Sequence, residues 1–170
     1  ISAGDDVPFD AEITGTAGRD TLTGSAGRER FHGLENNDTT RDGDGDDVVH
    51  GGAGDDTFYA GAGADRYFGG DGRDLVNYVD ATSGLVIDTI NRSNGTGLAF
   101  GDTFVGIEYI YATNHGDVII SDLGVQFRGQ AGDDILVDRA NAQYFLGGAG
   151  SDIFVFMIDG GVQDRIGDFN

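Results

Sequence analysis

Cysteine is absent from the 170 residues, so no disulfide framework is possible and thiols say nothing about redox compartment. Lysine is absent as well; all 10 basic residues are arginine. Positive charge is scarce against 30 acidic residues, and the formal net charge of −20 makes a surface that repels nucleic acid and anionic membrane. Neither is a natural partner without a bridging cation. No run approaches ~18 consecutive apolar residues, so nothing is expected to insert in a membrane. No stretch reads as an amphipathic helix, and 31 glycines would penalise one heavily.

Reactive groups are equally sparse. The only histidines are His32, His50 and His115, and no isolated acid pair stands out from the many acids. No catalytic residue is expected, and the chain reads as a non-enzyme. The chain begins at Ile1 without the basic and apolar regions of a signal peptide, and we expect a piece of a longer protein.

Low hydrophobicity with high charge often means disorder. Here 11 Phe and 6 Tyr argue that something folds. Both hold if the chain is disordered alone and ordered with cations.

What is present is a period of nine. From Gly15 to Asn77 seven nonapeptides follow without a gap, among them DGDGDDVVH, GGAGDDTFY and AGAGADRYF. Their sixth position holds Asp20, Glu29, Asp38, Asp47, Asp56, Asp65 and Asp74, and their eighth is mostly apolar (Leu22, Phe31, Val49, Phe58, Tyr67, Val76). A second block starts at 129 with GQAGDDILV and ends with GGAGSDIFV, supplying Asp134 and Asp152. Residues 78–128 lose the strict glycines but keep Gly-Asp corners at Asp102 and Asp117. The expected divisions are a lead-in at 1–14, blocks at 15–77 and 129–155, an interrupting β-segment at 78–128 and closing strands at 156–170, all one domain.

Repeated glycine makes the first six positions a turn, and the last three form a short strand with position eight inward. Two nonapeptides then make one coil, and coils stack by parallel pairing into a right-handed parallel β-roll, an all-β solenoid. Stacking aligns Asp20, Asp38, Asp56 and Asp74 on one edge, and Glu29, Asp47 and Asp65 on the other. Carboxylates at strand spacing of ~4.8 Å repel one another. A hard dication between them turns repulsion into coordination, and calcium, taking 6–8 oxygens in tolerant geometry, suits best. Transition metals would want Cys or His, which these turns lack. An ion-free glycine-rich solenoid or an acidic linker are the bland alternatives. The strongest sites should lie between the turns at 51 and 69, 42 and 60, and 129 and 147. GLENND (33–38), with Leu34 and Asn36 in place of glycines, is expected to be a weaker corner, and DRANAQ (138–143), with Gln143 at position six, to lack a full site. Roughly five to seven ions are expected; six would take the formal charge from −20 to −8.

The repeats match G-G-x-G-x-D-x-U-x, and the chain resembles an RTX β-roll domain. GDTFVGIEYI, NHGDVIISD and the tail are similar to C-terminal regions of serralysin-type and related secreted proteins of Gram-negative bacteria. The resemblance implies calcium ligands at the sixth-position acids, together with carbonyls of Gly52, Gly54, Gly61, Gly63, Gly70 and Gly72. It implies passage through a type I secretion apparatus, an extracellular location, and folding where calcium is abundant. Outward Arg30, Tyr59, Arg66, Phe68 and Arg128 leave a second reading, a calcium-dependent module binding polysaccharide or a cell surface. His32 and His50, both at position nine, should sit exposed on adjacent strands.

Overall fold

The computed structural model describes residues 8–139 and 144–156 and the backbone of the strand Arg165–Ile166. The chain winds as a parallel β-solenoid of about 8 turns. One long sheet runs from Thr21–Thr23 through Thr39–Arg41, Thr57–Tyr59, Leu75–Asn77, Tyr109–Tyr111, Gln126–Ala131 and Tyr144–Ala149 to Arg165–Ile166. A first short sheet (Ala11–Thr14, Glu29–Glu35, Val48–Ala53, Arg66–Asp71, Thr103–Val105) packs on its N-terminal half. A second short sheet (Val86–Asp88, Val118–Ser121, Ile135–Asp138, Ile153–Phe156) packs on its C-terminal half. Two single-turn 3₁₀ helices, Arg92–Asn94 and Gly97–Ala99, are the only helices among the described residues.

The nine-residue period explains the pairing. Two repeats make a coil, so Phe31 pairs Val49 and Val49 pairs Tyr67, while Thr40 pairs Phe58 and Phe58 pairs Val76. Every position-eight side chain of the first block from Leu22 to Val76 is therefore buried, and Phe127, Leu136 and Phe145 continue the column. Aromatic rings link the two walls: Phe58 and Tyr67 stack at 5.8 Å, and Tyr67 and Phe104 at 6.0 Å. Between Asp65 and Asp102 the coil takes 37 residues instead of 18, because the segment with both 3₁₀ turns bulges out before the sheet resumes.

The strands differ from the sequence reading in one respect. Positions one to three were expected in the turn, but in the first short sheet they extend the strand, as in Val48–Ala53 and Arg66–Asp71. The ladder continues round the bend because Gly52 pairs Gly70 and Ala53 pairs Asp71. By strand alternation, position one then faces inward beside position eight. Gly33, Gly51 and Gly69 are buried there. So are Asp42, Ala60 and Tyr78.

Most of the expected closing segment lies at 157–164 and 167–170, outside the described residues, as do Gln143 and the lead-in up to Val7. Of the closing strands, the backbone of Arg165–Ile166 pairs with Tyr144 and Phe145.

Candidate metal centre

From Asp38 onward, each sixth-position acid stands at the inner start of a strand, and one of its oxygens reaches back to the coil before. Asp38 Oδ1 accepts from the backbone N–H of Asp20 (2.8 Å), Asp56 from that of Asp38 (2.7 Å), and Asp74 from that of Asp56 (2.9 Å). Glu108 Oε2 closes this first row on the N–H of Asp74. In the second row Asp47 accepts from Glu29, Asp65 from Asp47, and Asp102 from Asp65. A third row serves the C-terminal half, with Asp117 accepting from Leu85, Asp134 from Asp117, and Asp152 from Asp134. The structure thus brings together the acids that the period aligns.

The other oxygen decides the chemistry. The Oδ2 atoms of Asp38, Asp47, Asp56, Asp74 and Asp134 are buried without a hydrogen-bond partner. A stranded buried acceptor costs about 1–3 kcal/mol, and more when charged. Burial accordingly pushes the Asp56 and Asp74 carboxyls up to about 6, Asp47 and Asp134 to about 7, and Asp65 to about 9. Neighbouring carboxylates add to the rise, Asp102 most strongly on Asp65. Burial raises Asp38 and Asp102 too.

Asp20 and Asp117 differ. Asp20 Oδ2 accepts from the backbone N–H and hydroxyl of Thr16, at 2.6 and 3.0 Å. Thr113 does the same for Asp117, its N–H donating to Oδ2 at 2.8 Å and its hydroxyl reaching both oxygens. Ser25 serves Glu29 likewise. Where position two carries a hydroxyl the acid is satisfied within its own corner. In the five stranded corners, position two is Leu34, Gly43, Gly52, Gly70 or Gln130.

The glycines shape the space beside these oxygens. A Cβ at Gly51 would lie 2.2 Å from Asp56 Oδ2 and 2.7 Å from the Gly69 carbonyl oxygen; at Gly129, 2.1 Å from Asp134 Oδ2 and 2.5 Å from that of Gly147. A stranded carboxylate oxygen and a carbonyl oxygen of the next coil therefore converge where a side chain is missing. Gly52, Gly54, Gly63, Gly70 and Gly72 have φ between 114° and 157°. Gly61 does not, and is required by contact instead, since a Cβ there would meet the Gly43 carbonyl oxygen. The donor set is all oxygen, hard and uncompensated. It fits calcium and offers nothing to a metal that prefers nitrogen or sulfur.

Positions 33–38, expected to be a weaker corner, keep the corner shape without glycine at positions two and four. Leu34 and Asn36 adopt φ of 86° and 71°, and Asp38 Oδ2 is stranded like its neighbours. His32 and His50 do stand on adjacent strands, their rings stacked at 5.3 Å, and Phe68 extends the stack at 4.7 Å. Sequence reasoning missed Asp42, whose signal was an acid at an inward position one. It also left Asp102 and Glu108 out of the rows, because the longer coil hides their register.

Residues 9–40, 42–76 and 126–154 match the model of the RTX calcium-binding nonapeptide repeat, in four copies, over more than half of the chain. No curated protein matches the chain in sequence.

Proposed function

The chain belongs to the RTX calcium-binding nonapeptide repeat family, and from that premise we propose that this calcium-binding module folds when it meets calcium outside the cell. The observation that carries the reading is the set of stranded oxygens, Oδ2 of Asp38, Asp47, Asp56, Asp74 and Asp134. Bound there, calcium supplies the positive charge that these corners lack. The chain's own residues do the rest: each Oδ1 fixes its carboxylate against the preceding coil, and the glycine carbonyls of the next coil complete an oxygen cradle. Ions that bind only the folded coils stabilise them by RT ln(1 + [L]/Kd) per site, about 2.7 kcal/mol at a hundredfold excess over Kd. Several coupled sites give a steep transition.

Such a switch suits export through a type I apparatus, with the chain unfolded where calcium is scarce and compact once secreted. The module binds and folds rather than catalyses, and it stabilises or delivers whatever it is joined to. Circular dichroism during a calcium titration tests this. A cooperative gain of β signal, reversed by chelator, is expected; a chelated chain already folded, with an unchanged melting point, overturns it.

One observation favours a second role beside the first. Phe9, Arg28, Arg30, His32, His50, Arg66 and Phe68 line a groove of about 370 Å³ on the outer face of the first short sheet. Cationic and aromatic groups thus gather on one side of an otherwise acidic molecule, a surface suited to polysaccharide or a cell surface. A glycan array in calcium buffer separates the roles: specific retention supports the groove, and silence beside calcium-driven folding leaves the folding module alone.

A further inference from the structure

Position one turns its side chain inward, and on the first corner row it is always glycine: Gly15, Gly33, Gly51 and Gly69. On the second row it is Gly24, Asp42, Ala60 and Tyr78. Asp42 therefore places a carboxylate at an inward position where no other coil of either row carries a charge, and it is 1% exposed. Asp42, Asp47 and Asp65, all buried, each offer an oxygen within 4.8 Å of the others. A separate observation points to a ligand: Asp47, itself wholly buried, has an Oδ2 with no hydrogen-bond partner.

The neighbours do not supply the missing charge. Tyr67 donates its hydroxyl to Asp42 Oδ2 at 2.6 Å and reaches Asp65 Oδ2 at 3.4 Å. Gly43 donates its N–H to Asp42 Oδ1, and Tyr78 donates to Asp102 beyond. These are neutral donors, and they satisfy geometry without cancelling charge. No ion pair reaches any of the three acids among the described residues. Three carboxylates enclosed at such distances call for a cation, since each raises the cost of charging the others.

We propose that Asp42, Asp47 and Asp65 form one inner cation site, set apart from the other corners by its third carboxylate and filled first as calcium rises. The inference rests on the reading of the corners as calcium sites. Affinity of an oxygen cage for calcium rises with the number of charged ligands and with rigidity. Two sixth-position acids serve an ordinary corner; this one adds Asp42, held by Tyr67 and the Gly43 N–H. Hard ions of higher charge should be favoured further, which makes terbium a direct probe.

Terbium luminescence excited through tyrosine reads this site in the intact chain. The protein has no Trp, so sensitisation comes from its 6 Tyr, and Tyr67 touches two of the three acids. The wild type should give a tight first phase of sensitised emission. Asp42→Gly, which restores the glycine of the repeat, should weaken that phase at least tenfold, while calcium-driven folding by circular dichroism persists. Asp42→Asn keeps the side-chain shape and should weaken it likewise, so the test does not depend on the glycine variant folding. Tyr67→Phe should dim the emission, because it removes the phenol that touches two of the three acids. An unchanged tight phase in either Asp42 variant overturns the inner site alone. A wild type that binds neither ion overturns the calcium reading together with it.

Discussion

At the scale of the residue, a corner's dependence on ions turns on one neighbour. Thr16, Ser25 and Thr113 hand a hydroxyl to the acid four positions on, whereas Gly52 and Gly70 leave theirs stranded. Asp56 is the clearest case for a test, since both its oxygens have defined fates: Oδ1 bonds the Asp38 N–H and Oδ2 bonds nothing. Asp56→Asn keeps the size and the Oδ1 acceptor but removes the charge. In chelator the variant should be the more stable chain, by on the order of 1 kcal/mol, because a charged stranded group costs more than a neutral one. In calcium the order should reverse, with the folding midpoint moved to several-fold higher calcium. Thermal melts of both proteins in both buffers check it; a variant that is weaker in both conditions would count against the charge argument. The sixth-position rows were legible in the sequence because their spacing is the period itself. Asp42 was not, because the repeat marks position one as part of a turn, and only the folded coil shows that side chain buried against Tyr67.

At the scale of the element, the regular coils follow from the nonapeptide and the exception is the excursion after Val86–Asp88. There Asp88 acts as the organiser. It is buried, and burial alone would raise its carboxyl. The N–H of Asn91, the Asn94 amide and the N–H of Ile90 outweigh that and hold it below its ordinary value. Asp88→Ala strands two backbone donors and releases the turn that leads into Arg92–Asn94, so a loss of about 1–3 kcal/mol is expected. Calcium titration should show the same midpoint within about twofold, since Asp88 belongs to none of the three rows, while the melting temperature in calcium falls. A shifted midpoint with an unchanged melt would show that the excursion works through the ions instead. The sequence disclosed that residues 78–128 stay strand-like, through their Gly-Asp corners and alternating apolar residues. It could not disclose that the sheet facing the long one changes there. That handover depends on Thr103–Val105 pairing back on Arg66–Asp71 across a coil of irregular length.

At the scale of the whole molecule, a net charge of −20 is carried partly inside, and this makes pH act in opposite directions with and without calcium. The folded-state pKa values of the corner acids are raised: about 6 for Asp56 and Asp74, about 7 for Asp47 and Asp134, about 9 for Asp65. In an unfolded chain an aspartate titrates near ~3.9. For a raised group the folded state binds the proton more tightly, so its contribution to stability is intact below the unfolded value and is lost as pH climbs through the folded one. The chelated chain should therefore gain order on acidification from pH 8 towards 5, most steeply below about 6, where the folded state holds all five of these protons and the unfolded chain still lacks them. With calcium present the same protons compete for the same oxygens, so apparent calcium affinity should fall over that interval. Circular dichroism at fixed pH steps, with chelator and with saturating calcium, should give two stability curves that approach each other as pH falls. If the chelated protein is instead most ordered at pH 8, the buried acids carry no penalty that an ion must relieve, and the rows of carboxylates are not what couples calcium to the fold.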